Sequence, residues 1–209
     1  MTQVLLITFL ATLVYLSISN RLLSYNKIFA FQGVLLFGIS FLELSEISPL
    51  NLAFVLLETI IFKTVAVPYF MNYVIKKNQI TREAEPYLSN FLSLVIVTVI
   101  ITGTFLLSNM VKEAQLNKLF FVVALSALFT GLYIILTRRK IITHVMGFLI
   151  IENGVFVLSL AVGNEMPMLV NTGILLDLFV SVLLLGIFAN KIGDAMKGAT
   201  VEQLSQLKD

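Results

Sequence analysis

The stretch FLIIENGVFVLSLAV (residues 148–162) places a carboxylate, Glu152, beside an amide, Asn153, within an otherwise apolar run. A run of this kind is typical of a helix inside a membrane, where an acidic side chain is energetically expensive. The whole chain has the same character. Of its 209 residues, 58% are hydrophobic and 12% are charged, with a mean hydropathy of +0.98. These values lie far from those of soluble domains and predict an integral membrane protein in a lipid bilayer.

Apolar runs of about 20 residues, the length that spans a bilayer, recur along nearly the whole chain. They predict an all-α, polytopic transmembrane helix bundle of about seven spans, with a cytoplasmic tail at 191–209. The spans are predicted near residues 3–20, 27–45, 50–75, 87–108, 118–137, 141–163 and 168–190. The first has no basic residue before it and no small-residue cleavage site after it, which predicts a retained helix. Pro68 should kink the third span or mark a broken end in it.

The basic residues are distributed unequally between the two sets of loops that seven spans create. Eleven Lys and Arg residues lie in one set of loops and the tail, and two lie in the other set. Because cytoplasmic loops are enriched in Lys and Arg, the N-terminus is predicted outside and the C-terminus in the cytoplasm. The sequence thus indicates a multi-pass protein of a bacterial or archaeal cytoplasmic (inner) membrane.

Cysteine is absent and histidine occurs once. The chain therefore lacks the side chains for an iron-sulfur, nickel-iron or bis-histidine haem site of its own. We predict no cofactor, no metal ligand, no catalytic residue and no nucleic-acid partner. If the protein serves a redox process, the electrons travel through other subunits.

A weak internal repeat is visible. The segments FQGVLLFGISFLEL (31–44) and IENGVFVLSLAV (151–162) both place an amide before Gly-Val, 121 residues apart. Each is followed by a short loop without Lys or Arg, and then by a span with an acid, Glu58 or Asp177. Spans 1–3 and 5–7 are accordingly predicted to form a 3+1+3 parallel repeat, joined by span 4.

Four charged side chains fall well inside predicted spans: Glu58, Lys63, Glu152 and Asp177. Together they cost on the order of 10 kcal/mol before any pairing, which a passive helix bundle would avoid. A buried carboxylic acid escapes part of this cost by holding a proton, and it is then able to exchange that proton. Asn153 could support either protonation state through hydrogen bonds. The alternative is that these acids only link helices through hydrogen bonds.

The spacing of these residues predicts which of them share a helix face. Glu58 and Lys63 are about 140° apart on an α-helix, so Lys63 is expected to point towards another helix or another subunit. His144 lies about 80° from Glu152 and about 12 Å along the axis, towards the cytoplasmic end. That position suits proton uptake through water, although an interfacial structural role is the simpler interpretation. The predicted proton pathway comprises Glu58, Lys63, His144, Glu152, Asn153 and Asp177.

Three segments resemble the hydrogenase-4 component E family of membrane subunits: RRKIITHVMGFLIIENG (138–154), LLDLFVSVLLL (175–185) and ETIIFKTVAVPYF (58–70). The family also places a Lys a few residues before a Pro, as Lys63 and Pro68 stand here. Its C-terminal half is similar to the K subunit of complex I, whose pattern is G-L-E-x-x-x-N-A. Gly147, Asn153 and Gly154 match that pattern. Leu149 occupies the Glu position, and Glu152 follows it by three residues, nearly on the same face.

The resemblance implies a non-redox subunit in the membrane arm of a group 4 nickel-iron hydrogenase or formate hydrogenlyase-type complex. Its partners would be antiporter-like membrane subunits and the redox module, and it would provide part of a proton or Na⁺ path. Two alternatives stay open at this point. One is a subunit of an Mrp-type cation/proton antiporter without redox chemistry, and the other is a structural scaffold subunit.

Overall fold

The computed structural model describes residues 1–43, 53, 55–77, 87–111 and 116–162, and the regular elements within them are helical. The helices are α1 (Thr2–Ile18), α2 (Leu22–Glu43), a π-helical segment (Leu57–Ala66) that continues directly into α3 (Val67–Lys77), α4 (Asn90–Met110), α5 (Lys118–Thr137) and α6 (Ile141–Val162). The predicted all-α class is confirmed for these residues. The predicted seventh span (168–190), which contains Asp177, and the tail (191–209) lie outside them.

Four of these helices, α2, α4, α5 and α6, are long and apolar enough to cross a membrane, and α1 is a shorter apolar helix. These helices fit the predicted helical membrane protein, whereas seven spans and the 3+1+3 repeat stay predictions. Helix α2 begins at Leu22, five residues before the predicted position 27. The reason is that Tyr25 and Asn26 are buried against the bundle, although this stretch is only moderately apolar.

A buried arginine joins two helix connections at one end of the bundle. Arg138 follows α5, and its guanidinium donates to the carbonyls of Ser17 (3.0 Å) and Ser19 (3.2 Å) and to Asn20 Oδ1 (3.2 Å). The last carbonyls of a helix lack partners within the helix, so Arg138 satisfies acceptors at the end of α1. The α1–α2 and α5–α6 connections therefore lie at the same end, as the predicted alternation of spans requires.

Helices α5 and α6 form a closely packed antiparallel hairpin because small residues occupy their contact. A Cβ atom on Gly131 would lie 2.6 Å from the Gly147 carbonyl oxygen, and one on Gly147 would lie 2.9 Å from the Gly131 carbonyl oxygen. A Cβ atom on Gly154 would lie 3.0 Å from the Ala124 carbonyl oxygen. Small residues at such positions let two membrane helices pack backbone to backbone, which fixes α6 firmly against α5.

Helix α4 lies at the edge of the described bundle. Two hydrogen bonds of 2.8 Å connect it to α5, between Tyr133 and Ser93 and between Thr104 and Ser126. Its other face exposes large apolar side chains, including Phe91 and Val99. A continuous apolar exterior of this kind fits a hydrocarbon environment or the surface of another membrane subunit.

Helix α2 contacts the third helical stretch at two points. A Cβ atom on Gly33 would lie 2.5 Å from Thr64 Oγ1 and 3.0 Å from the Thr59 carbonyl oxygen, so only glycine allows this approach. Further along, Asn26 Nδ2 donates to the Pro68 carbonyl at 2.7 Å. Pro68 is the second residue of α3, at the place where π-helical geometry changes to α-helical geometry. The helix continues through Pro68 without a break, and the predicted kink stays a prediction.

Candidate functional site

The π-helical segment (Leu57–Ala66) carries two of the predicted site residues, Glu58 and Lys63. Its wider turn is visible in bonds that span five residues: the Val67 amide donates to the Phe62 carbonyl, and the Thr64 hydroxyl donates to the Thr59 carbonyl at 2.8 Å. π-Helices are rare and occur mostly as single turns, frequently at functional sites. A segment of ten residues is unusual, and here it coincides with the charged residues of the site.

Lys63 lies between two carboxylates. Its Nζ atom is 3.4 Å from Glu58 Oε1, in the same π-helical segment, and 3.6 Å from Glu152 Oε1 on α6. The exposed fractions are 0% for Lys63, 3% for Glu58 and 6% for Glu152. We call these three residues the ionic cluster. The expectation that Lys63 points towards another helix is confirmed by its contact with Glu152.

The expectation that Glu58 and Lys63 occupy different faces is wrong. It rested on α-helical geometry, in which five residues correspond to about 140° of rotation. In the π-helical segment one hydrogen-bonded turn spans five residues, so positions 58 and 63 lie above one another. The backbone geometry thus creates an ion pair that an α-helix would separate.

An aromatic ring completes the surroundings of the Lys63 ammonium. Lys63 Nζ lies 4.9 Å from the centroid of the Phe156 ring, within the range of a cation–π contact. Phe156 follows Glu152 by one helical turn, so both residues face Lys63 from α6. The contact is desolvated, a setting in which the attraction of a cation to a ring is strongest. Phe156 therefore adds a favourable contact to the Lys63 side chain beside the two carboxylates.

Asn153 belongs to a hydrogen-bonded chain of neutral side chains that crosses three helices. Its Nδ2 donates to Gln32 Oε1 on α2 at 3.0 Å, and Gln32 Nε2 donates to Thr12 Oγ1 on α1 at 2.8 Å. Thr12 in turn donates to the Phe9 carbonyl at 2.5 Å. We call Asn153, Gln32 and Thr12 the amide chain. It lies directly beside the ionic cluster, because Asn153 follows Glu152 in α6.

The charges of the ionic cluster do not balance by themselves. Two carboxylates and one ammonium leave one negative charge in excess, and a single bound proton would remove it. This count covers the three described members of the cluster alone, and burying a net charge in an apolar environment costs several kcal/mol unless a further charge or a proton compensates it. The nearly equal distances from Lys63 to both acids mean that either carboxylate can pair with it while the other holds the proton.

His144, another predicted pathway residue, is not part of this arrangement. The half-buried His144 lies in the first turn of α6, where its Nδ1 donates to the Lys140 carbonyl at 2.7 Å. Nδ1 is the donor in this bond, since a carbonyl only accepts. The ring is therefore anchored at the α5–α6 connection, about 12 Å from Glu152 along the helix. Asp177 lies outside the described residues.

Sequence reasoning did not assign a role to Gln32, Thr12 or Phe156, and it interpreted Arg138 only as part of a basic topology anchor at 138–140. Gln32 did carry a signal, because it is the amide of the first repeat segment as Asn153 is of the second, and the two residues bond to each other. Phe156 and Thr12 carry no such signal, since Phe and Thr are common in membrane helices.

A distant relative is found among known proteins. The chain is 23% identical over 130 residues to the uncharacterized protein Rv0085 of Mycobacterium tuberculosis. The match covers 61% of this chain and about 59% of the length of that protein. No family model matches the chain, and no solved structure matches it.

Proposed function

We propose that this chain is a non-redox membrane-arm subunit of a multisubunit hydrogenase or complex I-like oxidoreductase, and that it provides part of a proton (or Na⁺) path. The observation that carries the proposal is the position of Lys63 between Glu58 and Glu152, all three of them buried. The motif resemblance supports the type of parent complex. In that complex the chain lies between antiporter-like membrane subunits and the redox module.

The ionic cluster suggests how a proton moves through it. When a proton binds one carboxylate, that acid loses its attraction for the Lys63 ammonium, and Lys63 pairs with the other carboxylate. The movement of the Lys63 side chain couples the two acids: the carboxylate that gains the ammonium releases its proton to the path when the other carboxylate takes one up, so one proton is bound for each proton released. Intramembrane acids and bases with this behaviour are characteristic of proton relays. The proposed orientation, with the N-terminus outside and the C-terminus cytoplasmic, follows from the Lys and Arg distribution.

The test uses the complex that carries Glu152→Gln in this subunit, purified in a mild detergent and reconstituted into liposomes. We expect the subunit to assemble normally while coupled proton translocation, followed with a pH-sensitive dye, falls strongly. Glu43→Gln is the matched control, because Glu43 ends α2 outside the ionic cluster, and it should translocate normally. Unchanged translocation by Glu152→Gln would remove Glu152 from the mechanism. Harmless neutralisation of both cluster acids would favour a scaffold.

The same preparation separates the two transport alternatives. Nickel, iron and redox subunits that co-purify with the chain support a hydrogenase or complex I-like parent. Cation/proton exchange by a complex without these components supports an Mrp-type antiporter.

A further inference from the structure

Two adjacent residues of α2, Gln32 and Gly33, contact both helical elements that carry the ionic cluster. Gln32 accepts a hydrogen bond from Asn153 on α6 at 3.0 Å. Gly33 packs against Thr59 and Thr64 of the π-helical segment, where an added Cβ atom would come within 3.0 Å or less of both residues. Helix α2 therefore bridges the two elements between which the Lys63–Glu152 contact is made.

The contacted residues have a regular relationship to the charged ones. Thr59 follows Glu58, Thr64 follows Lys63, and Asn153 follows Glu152. Adjacent residues on a helix point in directions about 100° apart, so one residue of each pair can face α2 while the other faces the ionic cluster. If α6 or the π-helical segment shifted relative to α2, its charged side chains would shift with it.

We infer that Gln32 is a positioning residue for the ionic cluster and that the amide chain holds Glu152 at its distance from Lys63. This inference rests on the proposed function. Gln32 is completely buried, and both ends of its amide are bonded, to Asn153 and to Thr12. Thr12 on α1 accepts the second hydrogen bond of Gln32. The orientation of α6 is therefore fixed by contacts with both α2 and α1.

The chemistry of the amide chain suits a positioning role. Amide and hydroxyl side chains keep their charge state across the physiological pH range, unlike carboxylates and histidine. The bonds therefore persist whichever member of the ionic cluster holds the proton. Titratable groups in the same positions would change their own charge, and hence their hydrogen bonds, when the ionic cluster gains or loses a proton.

The test combines a distance measurement with a transport measurement. The chain contains no cysteine, so single cysteines at the exposed positions Ile61 and Val155 can carry spin labels on the π-helical segment and on α6. In this background Gln32→Met keeps the side-chain volume and removes both hydrogen bonds. Ser40→Ala is the matched control, since Ser40 is a buried polar residue of α2 whose hydroxyl has no hydrogen-bond partner among the described residues.

We expect Gln32→Met to broaden the interlabel distance distribution and to lower proton translocation roughly three- to tenfold, the effect of losing the one interhelical hydrogen bond that reaches α6. Ser40→Ala should change neither. The double variant Gln32→Met/Asn153→Leu should translocate protons as fast as the more impaired of the two single variants. The reason is that each single change already breaks the Gln32–Asn153 bond. If Gln32→Met does not assemble, Thr12→Val provides the same readouts by removing only the distal acceptor.

Unchanged distances, or altered distances with unchanged translocation, would overturn the assignment of Gln32. Additive losses in the double variant would also overturn it. These outcomes are distinct from a failure of the proposed function, in which Glu152→Gln itself translocates normally while the Gln32→Met distances still change.

Discussion

Glu58 and Lys63 are five residues apart in the chain, and their charged groups face each other at 3.4 Å within one π-helical segment. The same spacing on an α-helix would direct the two side chains to different faces. The local backbone geometry therefore decides whether Lys63 has one carboxylate near it or two. With Glu152 on α6 as the second, the ammonium is shared between two helices.

Lys63→Met should destabilise the protein and abolish proton translocation. It removes the cation from two buried carboxylates, and breaking a buried ion pair costs about 3–5 kcal/mol. The free energy of unfolding in mixed detergent micelles measures this loss.

Adding Glu152→Gln to Lys63→Met should recover part of that stability, because one of the two uncompensated acids is then neutral. Translocation should stay absent in the double variant. A double variant as unstable as Lys63→Met alone would show that Lys63 contributes by packing and not by charge.

Gly33→Ala should displace the π-helical segment from α2. The new Cβ atom would meet Thr64 Oγ1 at 2.5 Å and the Thr59 carbonyl oxygen at 3.0 Å, and the second of these belongs to the backbone. Overpacking of this kind costs about 1–3 kcal/mol in the free energy of unfolding. Translocation should fall as well, since Glu58 and Lys63 move with the segment.

Gly103→Ala is the control for this change. Gly103 lies in α4 with no described atom within 4 Å of an added Cβ, so alanine should be neutral or stabilise the helix by up to about 1 kcal/mol. Equal effects of the two substitutions would contradict a specific role for the contact at Gly33.

The sequence predicts the helical class of the described residues and the burial of Glu58, Lys63 and Glu152 well, for one physical reason. Both depend on transfer from water to lipid, which composition and run length report directly. The pairing of Lys63 with Glu58 depends instead on π-helical hydrogen bonding, and the residues 57–66 contain no pattern that separates it from an α-helix. The Gln32–Asn153 bond depends on how helices distant in sequence pack together, and the 121-residue repeat is only an indirect sign of it.

Arg138→Met should lower stability by roughly 2–3 kcal/mol, because three acceptors at the end of α1 lose a charged donor inside the protein. Arg138→Lys should recover little, since an ammonium lacks the planar fork that reaches several acceptors at once. The free energy of unfolding in micelles again provides the measurement.

Arg139→Met is the matched control. Arg139 is exposed and stacks on Tyr87 with its guanidinium carbon 4.5 Å from the ring centroid, a contact worth about 0.5–1 kcal/mol at an exposed site. Comparable losses at the two neighbouring arginines would exclude a specific role of Arg138 in the bundle.

Water should reach the ionic cluster, because proton exchange at buried acids requires a hydrated path to them. The absence of natural cysteine allows single cysteines at positions 58 and 152 to be probed with small charged thiol reagents in membranes. We expect both to be modified, whereas a cysteine replacing Val157, a completely buried apolar residue of α6, should resist. Modification is followed by mass spectrometry of the intact subunit. If positions 58 and 152 resist as fully as position 157, the acids are closed off from water, and their role is to connect helices.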